Sequence, residues 1–177
     1  RPYLNNLKRL SFCGNYGDPI LNKDLPDIID FTREVNPHCS CIIHTNGGAR
    51  TEAWWENLAK YPNLKVRFGI DGLEDTNHLY RRNVRWDLLQ RNYRAFIKAG
   101  GYAEWKMIVF KHNEHEVELL CTLLQIVLLK ATSKHFTCTL MLKIKLYSKQ
   151  AQWNLIMKKE LLHIAQDQSE FTVQRRH

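Results

Sequence analysis

Short apolar segments and helix-like segments alternate four times in the first 118 residues, and this alternation constrains the fold more than any other feature. The apolar segments are rich in β-branched and aromatic residues, as strands are. They are Leu7 to Phe12, Cys39 to Thr45, Leu64 to Ile70, and Ala103 to Phe110. Parallel strands need a crossover, usually a helix, so four strand–helix units in sequence predict an α/β fold with a parallel sheet or barrel.

Helix start and stop signals separate these units. Thr51 is a predicted N-cap for the second helix, and a polar loop is predicted over 73–83 before the third. Gly100 ends that third helix. The pattern Asn113-x-x-Glu116 resembles a capping box and predicts that another helix opens after the fourth strand.

Each predicted strand ends in a polar cluster. Read alone, the segment from Gly14 to Pro19 fits an ordinary strand–helix turn in which Asp18 caps the helix. In a parallel barrel, however, all strand ends lie on one rim, so four clusters in register favour a ligand site. The clusters are Gly17-Asp18-Pro19, Thr45-Asn46-Gly47, Asp71-Gly72, and Lys111-His112-Asn113.

The order of these motifs resembles the radical S-adenosylmethionine superfamily, most closely the members that modify peptides, proteins or cofactors. The resemblance rests on strand–Gly-Asp-Pro–helix, strand–Thr-Asn-Gly–helix, and strand–Ile-Asp-Gly followed by a His-x-x-x-Arg loop from His78 to Arg82. It covers about residues 7–118. It implies the second to fifth strands of a six-unit, TIM-barrel-like (βα) barrel, and therefore a partial barrel that is incomplete at its N-terminus.

The resemblance implies roles for particular side chains. Asp18 would accept the amino group of S-adenosylmethionine, with one methylene less reach than the Glu usual in the family. Arg82 would clamp the methionine carboxylate, for which a planar guanidinium is well shaped. No catalytic residue is assigned. The cofactor-binding residues so implied are Gly17, Asp18, Pro19, Thr45, Asn46, Asp71, Arg82 and Asn113.

The chain departs from the family pattern at three points. Tyr16 stands where Gly is usual, and Gly69 where Ser or Asn is frequent. The third departure is the missing Cys-x3-Cys-x2-Cys motif, whose thiolates bind a four-iron, four-sulfur (4Fe-4S) cluster in the family. The five cysteines lack this spacing, so no metal ligand is assigned in this chain. We expect the motif one unit upstream of Leu7, before Arg1.

The resemblance implies an enzyme that reductively cleaves S-adenosylmethionine to a 5′-deoxyadenosyl radical and abstracts hydrogen from a peptide, protein or cofactor precursor. Its electron donor would be a protein such as flavodoxin or ferredoxin. Without the cluster motif, this chain alone is predicted to be inactive. The alternative is a non-catalytic degenerate fragment or a basic nucleic-acid-binding protein. Nucleic acid is disfavoured, because the net charge of +8 comes mostly from residues 119–177, which have few acids.

The sequence divides at residue 118 into the central barrel segment (1–118) and a C-terminal segment (119–177). The segment from Leu119 to Leu129 is apolar all round but too short to span a bilayer, and the segment from Phe136 to Tyr147 predicts a strand. Two explanations compete for 119–177: a divergent sixth unit, or translation out of frame after about codon 118. An odd number of cysteines and no apparent secretory signal favour a cytoplasmic protein without a membrane partner.

Overall fold

The computed structural model describes residues 3–117, residue 119 and residues 136–141. Five strands form one parallel sheet in the sequential order β1 to β5. The strands are β1 (Arg9–Phe12), β2 (Ser40–Thr45), β3 (Leu64–Gly69), β4 (Tyr102–Ile108) and β5 (Phe136–Met141). The predicted α/β fold with parallel strands is confirmed, and the sequential order is that of a partial barrel.

Four helices connect or flank the described strands. They are α1 (Leu25–Val35), α2 (Glu52–Leu58), α3 (Glu74–Tyr80) and α4 (Trp86–Lys98). Short 3-10 helices span Leu4–Asn6, Pro19–Leu21 and Glu114–Glu116. The Thr51 side chain accepts a hydrogen bond from the Trp54 amide at 3.3 Å, which confirms the predicted cap of α2. None of the helices in the described part of the chain is long and apolar enough to cross a membrane.

One face of the sheet carries the hydrophobic core, and the helices cover it. Phe68 of β3 packs against Trp55 of α2, with ring centroids 5.3 Å apart, and against Phe96 of α4 at 6.0 Å. Trp55 and Phe96 are fully buried. Burying one such aromatic side chain contributes about 1.5–3 kcal/mol, so these contacts hold the helices to the sheet.

The opposite face of the sheet carries polar side chains, and some of them line the cleft at the strand ends. Side chains alternate along a strand, so neighbours of the core residues Val66 and Phe68 point away from the helices. The register then places His44, Arg67 and Glu104 side by side in one row across β2, β3 and β4. The pleat of these strands therefore gathers ionisable groups on one surface.

The segment predicted as a polar loop over 73–83 contains helix α3, so that prediction was wrong. The buried residues of α3 are Thr76 and Asn77, which are polar. The segment therefore lacks the periodic apolar residues by which an amphipathic helix is recognised in a sequence. The Asn77 side chain accepts from the Asp71 amide at 2.9 Å, and the Thr76 hydroxyl donates to Glu116. This helix is held by buried hydrogen bonds, which hydrophobic periodicity does not report.

The predicted capping box at Asn113-x-x-Glu116 was also wrong in its hydrogen bonding. The Asn113 side chain turns back to accept from the Phe110 amide at 2.6 Å, and it makes no cap bond to the turn that follows. Glu116 accepts from the Leu73 amide at 2.9 Å instead of reaching back to Asn113. Bonds of Glu116 to Leu73 and Thr76 take the place of the local cap.

Little of the C-terminal segment falls within the described residues. Strand β5 pairs with β4 from Ala103 opposite Phe136 to Ile108 opposite Met141, within the strand predicted from Phe136 to Tyr147. Of the predicted apolar segment over 119–129, only Leu119 is described. The division at residue 118 and the question of the reading frame remain predictions.

Candidate functional site: a polar cleft at the strand ends

A cleft of about 330 Å³ opens at the carboxyl ends of the first four strands. In parallel α/β folds, ligands bind at this edge of the sheet. Three lining groups are cationic (Arg67, Arg81 and Lys106), and one is a carboxylate (Asp18). The described lining residues are Gly14, Gly17, Asp18, Pro19, His44, Thr45, Asn46, Arg67, Gly69, Arg81 and Lys106.

Asp18 joins the ends of β1 and β2 and also borders the cleft. Its Oδ1 accepts from the Ile20 amide at 3.2 Å, which caps the 3-10 helix, and its Oδ2 accepts from the Asn46 amide at 2.7 Å. The capping interpretation is therefore confirmed, and the same carboxylate also borders the cleft. A carboxylate offers about four acceptor positions, so two backbone bonds leave capacity for a bound ammonium group.

Two glycines shape the wall beside Asp18. A Cβ on Gly14 would overlap the Gly17 carbonyl oxygen, so the loop closes on itself only with glycine there. Gly17 has φ of +132°, a backbone conformation that other residues rarely adopt, and nothing lies within 4 Å of the position its Cβ would take. Pro19 follows in the first position of the 3-10 helix. The loop is therefore closely packed at Gly14, whereas open space lies beside Gly17, which lines the cleft.

Thr45 and Asn46 also line the cleft, and their side chains build the turn after β2. The Thr45 hydroxyl accepts from the Gly47 amide at 3.0 Å, and Asn46 Oδ1 accepts from the Gly48 amide at 2.8 Å. Buried Asn92 donates to the Gly47 carbonyl at 2.8 Å and so fixes the turn against α4. The turn is therefore held in place before any ligand binds.

Asp71 and Asn113 lie behind the cleft and are not among its described lining residues. Both are 0% exposed. Asp71 Oδ1 accepts from the Ile108 amide at 2.5 Å, and the Asn113 side-chain amide donates to the Asp71 carbonyl at 2.6 Å and to the Ile108 carbonyl at 3.0 Å. These two side chains tie the end of β3 to the end of β4. The Asn113 side chain makes its hydrogen bonds to backbone groups of the protein.

The arginine that reaches the cleft is Arg81, whereas Arg82 is exposed and is not among the described lining residues. Arg81 Nε pairs with Asp71 Oδ2 at 2.5 Å, and this buried carboxylate directs the side chain inward. A Cβ at Gly69 would stand 2.5 Å from Arg81 Nη2. Gly69 therefore makes room for Arg81, which accounts for the absence of a larger residue there. Sequence reasoning missed Arg81, and the Asp71–Arg81 pair of opposite charges is the signal that could have identified it.

Ionisable groups on the polar face of the sheet extend the cleft inward. Glu104 is buried and accepts from Arg67 Nε at 2.6 Å and from Lys65 Nζ at 2.6 Å. Burial lowers the pKa of His44 below its usual 6.5, and the nearby positive charges of Arg67 and Lys106 lower it further. The negative charge of Glu104 acts in the opposite direction but does not reverse the shift, so the imidazole is neutral near pH 7.

No group of three or more His, Cys, Asp or Glu side chains suited to a metal ion occurs in the described part of the chain. Cys13 is exposed, whereas Cys39 and Cys41 are buried. Burial, with a smaller contribution from Cys39, raises the pKa of Cys41 to about 11. Cys41 is therefore held as a neutral thiol and is a poor metal ligand.

No protein-family model matches the chain, and no curated protein matches it in sequence. Solved structures do match in fold. The chain superposes on Streptococcus suis SuiB with a TM-score of 0.70 and 17% identity, covering 96% of this chain and 40% of that one. The S-adenosylmethionine-bound form of SuiB matches with a TM-score of 0.70 and 17% identity, covering 96% of this chain and 38% of that one. The form bound to precursor peptide SuiA matches with a TM-score of 0.69 and 17% identity, again covering 96% of this chain and 38% of that one.

The sequential parallel sheet and its strand-end cleft define a partial (βα) barrel, and the chain shares this fold with the SuiB structures. The fold expected from the motifs is therefore confirmed. This chain spans about two fifths of the length of the SuiB structures.

Proposed function

We propose that this chain is the central part of a radical S-adenosylmethionine enzyme and that its strand-end cleft holds S-adenosylmethionine. The observation that carries the proposal is the position of Asp18. Its carboxylate borders a cleft at the edge where parallel folds bind ligands, in a chain that shares the fold of an S-adenosylmethionine-bound structure. The motif order read from the sequence supports the same assignment.

The residues present fit the charged ends of S-adenosylmethionine. Asp18 would accept from the ammonium group, because charge-assisted hydrogen bonds are the strongest of their kind. Arg81 would bind the carboxylate in the role that the sequence assigned to Arg82, since its Nε is already fixed by Asp71. Gly17 leaves open space beside the carboxylate. Thr45 and Asn46 would border the adenosine through the turn that they build.

Residues that tie β3 to β4 would act indirectly. Asp71 positions Arg81, and Asn113 holds the Asp71 backbone, so both would shape the cleft from behind. This differs from the direct ligand contacts expected for Asp71 and Asn113 from the resemblance. We propose them as positioning residues of the same site.

The described residues do not fit a four-iron, four-sulfur cluster, because they contain no suitable group of ligands. We therefore assign no chemical step to this chain. Bound S-adenosylmethionine would supply the 5′-deoxyadenosyl group for hydrogen abstraction from a peptide, protein or cofactor precursor in the complete enzyme. The cluster and an electron donor such as flavodoxin or ferredoxin would be required in addition, while the residues above bind and orient the cofactor.

Calorimetric titration of the full chain with S-adenosylmethionine tests the proposal. We expect saturable binding that Asp18→Asn weakens at least about tenfold, because a charge-assisted bond becomes a neutral one. Asp24→Asn is the matched control: Asp24 also precedes a helix, but it is exposed and its side chain makes no cap bond. Equal affinities for the wild type and Asp18→Asn, or no binding by either, would refute the proposal.

A further inference from the structure

Arg50 holds the segment that carries Asp18, although it is not among the described lining residues of the cleft. Its guanidinium donates to three consecutive backbone carbonyls, those of Ile20, Leu21 and Asn22, at 2.5, 3.3 and 3.1 Å. These carbonyls lie at the C-terminal end of the 3-10 helix that Asp18 caps. The last carbonyls of a helix lack partners within it, and a cation suits their partial negative charge. Arg50 therefore caps this short helix at the end opposite to Asp18.

The loop that contains Arg50 also contacts the Asp18 carboxylate. Asn46, four residues before Arg50, donates its amide to Asp18 Oδ2 at 2.7 Å. Ile20 connects the two contacts, because its amide donates to Asp18 Oδ1 at 3.2 Å while its carbonyl accepts from Arg50. The loop after β2 thus holds the segment after β1 at two points, one at the carboxylate and one just beyond it.

Arg50 is itself held by the core. The carbonyl of the preceding residue, Ala49, accepts from Trp55 Nε1 at 3.0 Å and from the Asn92 side-chain amide at 2.9 Å. Trp55 and Asn92 are both 0% exposed. The Arg50 guanidinium also lies over the Trp54 ring, 5.3 Å from its centroid, as in a cation–π contact. The position of Arg50 is therefore determined by buried groups of α2 and α4.

The backbone of Arg50 gives a second, independent observation. Its φ is +74°, in the left-handed region, which residues with long side chains rarely adopt. The other non-glycine residues with positive φ in the described part of the chain are Asn63 and Asn83, and asparagine tolerates this conformation. Such strain persists where the surrounding structure requires it, and it is common at functional sites. The carbonyl contacts of the side chain account for an arginine at this position.

We infer that Arg50 is a positioning residue of the S-adenosylmethionine site. By holding the carbonyl end of the short helix, it keeps the Asp18 carboxylate directed into the cleft. This inference rests on the proposed function and adds to it a residue that acts from outside the cleft. Because Arg50 acts through Ile20 on Asp18, its loss should weaken ligand binding only while the Asp18 carboxylate is present.

The test is calorimetric titration of the full chain with S-adenosylmethionine. We expect Arg50→Gln to weaken binding at least about fivefold, but to change it by less than about twofold when Asp18→Asn is already present. Arg94→Gln is the matched control and should bind like the wild type: Arg94 also lies over an aromatic ring, that of Tyr93 at 5.9 Å, but it is exposed on α4. Circular dichroism checks that each variant is folded.

A glycine variant separates the guanidinium from the strained backbone. Arg50→Gly accepts the left-handed conformation without strain and lacks the side chain. We expect it to lose as much affinity as Arg50→Gln. Affinity at the wild-type level in Arg50→Gly would show that the contacts of the guanidinium are dispensable and would overturn the inference.

Hydrogen exchange without ligand distinguishes this inference from the proposed function. The Ile20 and Asn46 amides, which donate to Asp18, should exchange at least about tenfold faster in Arg50→Gln and at the wild-type rate in Arg94→Gln. Equal binding of S-adenosylmethionine by the wild type and Arg50→Gln overturns the inference and leaves the proposed function standing. If the wild type does not bind, the proposed function falls, whereas faster exchange of both amides still supports Arg50 as the residue that positions Asp18. Unchanged exchange of both amides contradicts that role.

Discussion

Asp18 and Asp71 are two aspartates at equivalent places in the fold, and their surroundings are different. Each follows a parallel strand at the same edge of the sheet, and each accepts a backbone amide from the neighbouring strand end: Asn46 for Asp18 and Ile108 for Asp71. Asp18 is partly exposed and lines the cleft, whereas Asp71 is 0% exposed and pairs with Arg81.

The difference shows how one motif can serve two purposes. The Asp18 carboxylate faces open space beside Gly17, so it retains acceptor capacity toward a ligand. The Asp71 carboxylate is enclosed, and its strongest partner is a cation that itself reaches the cleft. In the proposed function, Asp18 would bind the ligand directly, whereas Asp71 would hold Arg81, the residue that binds it.

The largest expected effect is on stability, from Asp71→Ala. Removing one partner of a buried ion pair leaves Arg81 without its counter-charge and frees the Ile108 amide. We expect a loss of about 3–5 kcal/mol in the free energy of unfolding, measured by urea denaturation. Asp75→Ala, at an exposed position in the same segment, should change it by less than about 0.5 kcal/mol. Similar values for the two variants would show that Asp71 is not structural.

A smaller loss is expected for Asn113→Ala. This side chain makes three hydrogen bonds at the ends of β3 and β4. Their removal leaves backbone groups of Asp71, Ile108 and Phe110 without these hydrogen-bond partners. We expect unfolding to become easier by about 1–3 kcal/mol, again by urea denaturation. A variant as stable as the wild type would mean that the tie between the two strands is dispensable.

For Asp18→Asn we expect binding of S-adenosylmethionine to be lost more than stability. The amide keeps one acceptor oxygen, which can serve the Ile20 amide or the Asn46 amide but not both, so one hydrogen bond is lost and we expect about 1 kcal/mol of lost stability. Binding of S-adenosylmethionine should suffer more, as described above. The check is the melting temperature with and without ligand: the ligand-induced rise should be smaller than in the wild type. A rise equal to that of the wild type would contradict the assignment of Asp18 as a binding residue.

The smallest effect is a pH dependence that originates at His44. Its pKa in the folded chain is lowered by burial first and then by Arg67 and Lys106, so the unfolded chain binds the proton more readily. The stability from His44 is therefore complete above about pH 6.5 and is lost as the pH falls through the lower folded value. Between about pH 8 and pH 5.5, His44→Gln should lose less stability than the wild type in parallel urea titrations. Identical slopes would exclude His44 as the source.

The sequence predicted the sheet well because its strands are short apolar segments bounded by turn residues. It could not predict α3, since the buried face of that helix consists of Thr76 and Asn77, which bond to Glu116 and Asp71. Hydrogen bonds of buried polar side chains leave no periodic apolar pattern, whether the partner is near in sequence, as Asp71 is, or far, as Glu116 is. The same tertiary bonds replaced the predicted capping box.

The site was predicted in part, for a related reason. Strand ends locate the rim, so Gly17, Asp18, Pro19, Thr45 and Asn46 were found together, and all of them line the cleft. Which neighbouring arginine points inward depends on where α3 ends and on the Asp71 carboxylate. The opposite charges of Asp71 and Arg81 are visible in the sequence, but the end of α3 is not. Whether an aspartate at a strand end is open or enclosed likewise depends on packing.

Backbone amide chemical shifts during an S-adenosylmethionine titration test the central claim most directly. The Asn46 and Ile20 amides donate to Asp18, and the Ile108 amide donates to Asp71. The account predicts the largest shift changes at Asn46, Ile20 and Gly17, with a smaller change at Ile108. Saturable binding that shifts Ile108 while leaving Asn46 and Ile20 unchanged would contradict it.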